Sequence, residues 1–270
     1  MKNKLSNLLL KPATEGKIVQ NVSPQSANWK FVGFEVHDLD KDQVISKTDI
    51  VNEFCIVLLS GKIEIKVNNT DYGLLNGRNS VFDNISPYAI YIPMNSSWKI
   101  SAKSFSEVAI CSAPGIKGMH KERIIRPDQM SREIRGKGSN TRYICNILPE
   151  TEPADSLLVV EVMTPSGNWS SYPPHKHDQD NLPSESYLEE TYYHRIKPKQ
   201  GYIMQRVYTD DKSLNESIIA EDRDVVLVPR GYHPVGVPYG YDSYYLNVMA
   251  GPKRTWKFHN DPNHEWIFGK

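Results

Sequence analysis

Short runs of β-branched and aromatic residues, closed by Gly, Pro, Asn or Asp, recur along this chain, while apolar residues at helical spacing are scarce. Such a pattern offers no broad helical face to bury, so the core must come from stacked or closed strands. The runs that read as strands are Trp29–Val36, Phe54–Leu59, Lys62–Val67, Ala89–Ile92, Ser106–Ser112, Tyr143–Ile147, Leu157–Met163, Tyr202–Val207, Asp224–Val228 and Ser243–Met249. Their spacing predicts an all-β sandwich or barrel. At 270 residues the chain is long enough for one or two such cores.

The pattern also repeats. Glu53 opens EFCIVLLSG ahead of KIEIKV, and Glu190 opens ETYYHRIKPKQG ahead of YIMQRV. Pro93-Met94-Asn95-Ser96-Ser97 then parallels Pro229-Arg230-Gly231-Tyr232-His233, which sets Ser97 opposite His233. The stretch from Gly115 to Gly138 is basic and weakly apolar. We therefore expect a first domain over 1–114, a linker over 115–140 and a second domain over 141–270.

Six of the eight histidines fall in the last hundred residues. His175 and His177 stand two apart in SSYPPHKHD, and in an extended strand residues i and i+2 share a face. Pro173 and Pro174 favour extended backbone just before them. Glu190 begins the next apolar strand and can add an anionic oxygen; Glu189 beside it would point to the opposite face. His233 follows a Pro229–Gly231 turn that aims its ring inward. Three imidazoles and a carboxylate suit one divalent ion: Zn, Mn, Fe, Co or Ni. No His-x-His precedes Glu53, so one site is expected, in the second half.

Lys+Arg and Asp+Glu are both 32, and a pI near 7.1 gives no electrostatic pull toward nucleic acid or an acidic membrane. No apolar run approaches the ~20 residues of a membrane span, and the short Leu8-Leu9-Leu10 run does not read as a signal peptide. Cys55, Cys111 and Cys145 are odd in number and widely spaced, which suits reduced thiols in a cytoplasmic protein. Jelly-roll edges often pair, so a homo-oligomer is compatible with the pattern.

The ordered set HxH, Glu and PxGxH resembles the two cupin motifs. That resemblance implies a bicupin, two double-stranded β-helix (jelly-roll) domains, the first lacking metal ligands. Longer blocks, SSYPPHKHD, LEETYYHR, QRVYTDD, VLVPRGYHPV and YYLNVMAGPKRTWKFHNDPNHEWI, resemble the 5-deoxy-glucuronate isomerases of myo-inositol catabolism. The likeness covers most of the C-terminal hundred residues and runs more loosely through REIRGKGSNTRYICNIL. The related 4-deoxy-uronate isomerases have a shorter gap between HxH and Glu than DQDNLPSESYLE here.

The resemblance implies an aldose–ketose isomerisation of a small sugar acid, 5-deoxy-D-glucuronate to 5-dehydro-2-deoxy-D-gluconate. Moving a carbonyl along a sugar needs a base that removes a proton beside a carbonyl, and a divalent metal can stabilise the charge that develops. His194, Tyr208 and Tyr232 are the candidates to move the proton. Lys176, Arg206 and Arg230, with Arg254 as a further choice, are the candidates to hold the substrate carboxylate. Alternation sends only one of Gln205 and Arg206 inward. The same ligands also serve cupin dioxygenases and decarboxylases, and a bicupin can bind a sugar without catalysis.

Overall fold

Burial alternates along some strands and saturates others. In Lys62–Val67 the residues Ile63, Ile65 and Val67 are buried between exposed Lys62 and Lys66, and Tyr202–Tyr208 buries Ile203, Gln205 and Val207 in the same way. Asn52–Ser60 and Glu189–Lys197 are buried almost throughout. Strands of the first kind have one wet face; those of the second need cover on both. The computed structural model describes residues 6–269, so the basic first residues lie outside the described part.

The chain forms two compact units. The N-terminal unit comprises Ala13–Ser131 and Cys145–Val160; the C-terminal unit comprises 6–12, Arg132–Ile144 and 161–269. In the N-terminal unit one sheet runs Arg123–Ile125, Tyr88–Ile92, Asn52–Ser60, Ser106–Pro114, Gly33–Leu39, Ile18–Val22. Its second sheet runs Val44–Asp49, Ser96–Ala102, Lys62–Val67, Thr70–Asn76. Phe54, Ile56, Leu58 and Ile110 of the first meet Ile63, Ile65, Trp98 and Ile100 of the second in one core.

The C-terminal unit repeats this order. One sheet contains Val225–Val228, Glu189–Lys197 and Asp242–Ala250, in that sequence. The other runs Trp169–Ser170, Val235–Gly236, Tyr202–Tyr208, Asn215–Glu221. Tyr192, Ile196, Val226 and Tyr245 pack against Ile203, Val207, Ile218 and Val235. Each unit is therefore a double-sheet jelly roll, as the cupin motifs implied. Leu9–Leu10 adds an edge strand to Val225–Val228, with Leu9 opposite Val226.

Register corrects the repeat read from sequence. Ile92, just before Pro93, faces Phe54, and Val228, just before Pro229, faces Glu190. Phe54 thus stands where Glu190 stands, and Glu53 matches Glu189. In the second sheets, Val67 pairs with Trp98, while Gln205 pairs with Val235 and Met204 with Gly236, which carries His233 to the place opposite Val207. The inward counterpart of His233 is Trp98, whereas Ser97 is exposed and meets the Thr48 hydroxyl at 2.8 Å. Aligning Glu with Glu slipped the repeat by one residue, and in a period-two element one residue exchanges the faces.

The expected linker is structured too. Arg123–Ile125 pairs with Tyr88–Ile92, and Ser131–Arg135 is a further edge strand, so the observed units differ from the expected division at 115–140. Val44–Asp49, Thr70–Asn76, Ser96–Ala102 and Asn215–Glu221 also escaped the sequence reading. All belong to sheets with a wet face, where alternating polar residues dilute the apolar signal. No helix among the described residues is long and apolar enough to cross a membrane.

Candidate metal centre

Three side chains converge inside the C-terminal jelly roll. Glu190 Oε2 lies 3.1 Å from His177 Nε2 and 3.2 Å from His233 Nε2. One ligand atom from each of the three lies within 4.8 Å of the others, and all three residues are buried. His177 Nδ1–H donates to the Leu188 carbonyl at 3.0 Å, and His233 Nδ1–H to the Gly231 carbonyl at 2.8 Å. A carbonyl only accepts, so each ring carries a proton on Nδ1 and turns its Nε2 toward the carboxylate.

That arrangement fits a cation. Lone pairs facing a carboxylate repel unless a proton or metal ion lies between them. Burial works against charge on His177, yet the hydrogen bond and charge of Glu190 raise its pKa. His233 Nε2 is buried without a hydrogen-bond partner, and burial holds its pKa down at about 4. A divalent ion at the common focus would satisfy both nitrogens and the carboxylate, and anchoring the far ring nitrogen on a backbone carbonyl is the usual way to orient a metal-binding imidazole.

His175 stands outside this group of three. Its ring centroid is 4.9 Å from that of His233, 6.4 Å from that of His177 and 4.7 Å from that of Phe258. Burial first, then the neighbouring imidazoles and the Arg142 and Arg135 guanidiniums, hold its pKa well below the ordinary value. Residues 172–174 form a turn rather than the expected extended backbone, and the strand begins at His175, which pairs with Asn260.

The supporting bonds tie these segments together. Asp178 accepts from the Gly231 N–H at 2.8 Å, linking the loop after His177 to the turn before His233. Gly231 has φ of 92°, and a Cβ there would come within 2.5 Å of the Tyr208 carbonyl oxygen, so only glycine makes this turn unstrained. The Asp261 N–H donates to the Pro174 carbonyl at 2.9 Å, holding the backbone before His175.

The other candidates take different places. Lys176 faces away from the two histidines, and its buried ammonium pairs with Asp178 at 2.8 Å, Glu185 at 3.2 Å and Asp210 at 3.5 Å. Burial opposes its charge, but these bonds and charges raise its pKa. Glu189 is buried on the opposite face from Glu190. His194 lies two steps deeper along the strand, stacked on Tyr192 at 5.9 Å, with Nε2 3.1 Å from Gln205 Oε1. Burial lowers its pKa to about 4.

Tyr208 donates to Asp261 at 2.7 Å and Tyr232 to Asp210 at 2.9 Å. Burial and those carboxylates push both phenols up, away from proton exchange near neutrality. Gln205 takes the inward place and Arg206 the outward one, where it covers the Tyr208 ring at 4.2 Å and bonds Asn215. Arg230 is exposed and Arg254 half-buried. The three cations expected at a sugar acid, Lys176, Arg206 and Arg230, are thus absent from the wall around His175, because strand alternation or acidic neighbours direct them elsewhere.

That wall belongs to a cavity of about 720 Å³, lined among others by Arg135, Arg142, Tyr172, His175, Phe258 and Phe268. Arg135 and Arg142 were missed because they fall in or beside the basic stretch read as a linker. Their clustering in REIRGKGSNTR was the available signal.

Residues 8–267 match the model of the KduI/IolB family. The chain belongs to this family. A 5-deoxy-glucuronate isomerase of Geobacillus kaustophilus (strain HTA426) is 56% identical over 256 residues, covering 95% of this chain and 92% of that protein. The 5-deoxy-glucuronate isomerase of Bacillus subtilis (strain 168) is 48% identical, covering 97% and 99%. The crystal structure of an IolB-like protein from Salmonella typhimurium LT2 superposes with a TM-score of 0.95 at 47% identity, covering 97% of this chain and all of that one (100%). An oxalate decarboxylase from Lactobacillus farciminis shares the fold at 10% identity, with a TM-score of 0.66 over 99% of this chain and 92% of its own. The chain is thus an enzyme of an isomerase family on a cupin scaffold.

Proposed function

We propose that this KduI/IolB chain is a metal-dependent isomerase that converts 5-deoxy-D-glucuronate to 5-dehydro-2-deoxy-D-gluconate in myo-inositol catabolism. The observation that supports the metal dependence is the focus of two imidazole Nε2 atoms on the buried Glu190 carboxylate. His177, Glu190 and His233 hold the ion, with His175 as the fourth ligand from the cavity side. A divalent ion there would supply Lewis-acid stabilisation of the negative charge that develops when a proton leaves the carbon beside a carbonyl.

The rest of the chain positions. Tyr208 fixes Asp261, whose N–H holds the Pro174 carbonyl and so the approach to His175. Asp178 fixes the Gly231 turn, and through it the His233 ring. The high identity to curated isomerases over nearly the whole chain supports the substrate. Three buried free thiols agree with a reducing cytoplasm.

Elemental analysis of the purified protein beside an assay with 5-deoxy-D-glucuronate tests this reading. About one divalent ion per chain and turnover lost on chelation and restored by metal are expected. Full turnover by a metal-free preparation overturns the metal dependence; metal without turnover of this sugar acid overturns the substrate.

A further inference from the structure

The cavity beside His175 has two unlike walls. Phe258, Ile267 and Phe268 make one apolar, while Arg135 and Arg142 bring guanidinium groups to the other. Arg142 is half-buried and has no ion pair among the described residues. Its Nη1 donates to the carbonyls of Asn140 and Tyr172, at 3.1 Å each. Those bonds hold the guanidinium plane and leave Nε and Nη2 without protein acceptors among the described residues. Nε and Nη2 form the edge that receives a carboxylate through two parallel hydrogen bonds.

A partly desolvated cation without a counter-charge is costly unless something anionic completes it. Burial lowers the Arg142 pKa, the mark of that cost. Arg135 differs: it already pairs with Glu133 at 2.7 Å and lies over the Trp256 ring at 5.6 Å. Its orientation is set, its charge is half-answered, and it adds field more than a free fork.

We infer that Arg142 is the carboxylate anchor of this cavity, with Arg135 reinforcing it, so that the pair selects sugar acids over neutral sugars. This deepens the isomerase reading and rests on it for the identity of the natural ligand. The Tyr172 carbonyl that Arg142 grips lies three residues before His175. The anchor is therefore bonded to the segment that carries the ligand histidine, so a carboxylate held at Arg142 orients the far end of the sugar toward the metal centre. Lys176, Arg206 and Arg230 have other partners or other faces, which leaves this pair, with the exposed Lys137 beside it, as the cavity's cationic wall.

Calorimetric titration with D-glucuronate and with D-glucose, on metal-loaded wild type, Arg135→Gln, Arg142→Gln and Arg142→Lys, tests the inference. Wild type should bind the acid at least about tenfold more tightly than the neutral sugar. Arg142→Gln should erase most of that preference, Arg142→Lys should keep part of it, and Arg135→Gln should lower it severalfold. Glucose binding should not move. Since Arg142 also braces two carbonyls, Tm is measured alongside; if Arg142→Gln does not fold, Arg142→Lys and Arg135→Gln carry the comparison. An unchanged acid preference in the folded variants, or none in wild type, overturns the anchor. Acid-selective binding without turnover of 5-deoxy-D-glucuronate would overturn the isomerase reading and leave the anchor standing.

Discussion

The two jelly rolls share a strand order and differ in what fills one end of the barrel. In the N-terminal unit Phe54 and Trp98 meet edge to face, with centroids 5.9 Å apart. At the matching places of the C-terminal unit, Glu190 and His233 meet at 3.2 Å. The passage into this end differs as well. Val44–Asp49 leads almost directly into Asn52–Ser60, whereas the route from Trp169–Ser170 to Glu189–Lys197 is longer and carries His175 and His177.

The outward carboxylate of the N-terminal unit serves the fold. Glu53 accepts the N–H groups of Asp155, Ser156 and Leu157 and the hydroxyl of Tyr91, all at 2.6 to 2.8 Å. One scaffold thus tolerates either a dry aromatic plug or a polar focus at the same inward positions. The proposed chemistry therefore rests on the focus and its loop, and the barrel itself does not require them.

The strongest way to break this comparison is to copy one end into the other. The double variant Glu190→Phe, His233→Trp should fold, at a cost of about 1–3 kcal/mol from imperfect packing. It should lose its bound metal and at least about a thousandfold in isomerase turnover, since it removes two of the four proposed ligands and the charge stabilisation they would support. Circular dichroism, elemental analysis and the turnover assay read these three outcomes. Retained metal or activity would mean that the polar focus is not the site.

The reverse unit should respond in stability alone. Phe54→Ala empties the plug over Trp98 and should cost about 3–5 kcal/mol in urea unfolding. Metal content and turnover per folded chain should stay at the wild-type level. A fall in bound metal in the folded variant would show that the plug does more than pack.

The convergence of His177, Glu190 and His233 was legible because spacing carries it, through HxH, an acid at a strand start and PxGxH after a turn, whereas His175 lies outside that group of three. The sequence left the register of the repeat unread, because Glu53 and Glu190 look alike while Phe54 and Glu190 do not. The cavity wall was hidden for another reason. Arg135 and Arg142 sit on polar edge segments whose composition resembles a linker, and only tertiary structure brings them beside His175. Tyr208 and Tyr232 stood out in sequence as candidates to move a proton, but their acidic partners Asp261 and Asp210 lie 53 and 22 residues away and did not.

The smallest expected effect tests the deeper layer of the same comparison. With Phe54 matched to Glu190, Leu58 matches His194, and Ile65 matches Gln205. The N-terminal core is apolar at both places, while the C-terminal core holds a neutral imidazole on an amide. The folded pKa of His194, about 4, lies below the unfolded value of 6.5. As pH falls, the unfolded chain takes up the proton first. The stability gained by keeping this ring neutral is fully present above about 6.5 and is lost as pH falls toward 4. Replacing the pair with its N-terminal counterparts, His194→Leu with Gln205→Ile, removes that sensitivity. Urea unfolding at pH 7 and at pH 4.5 should find the wild type losing about 2–3 kcal/mol more than the double variant between the two conditions. Equal losses would mean that His194 is not held neutral in the fold, and that the two cores differ in shape more than in charge.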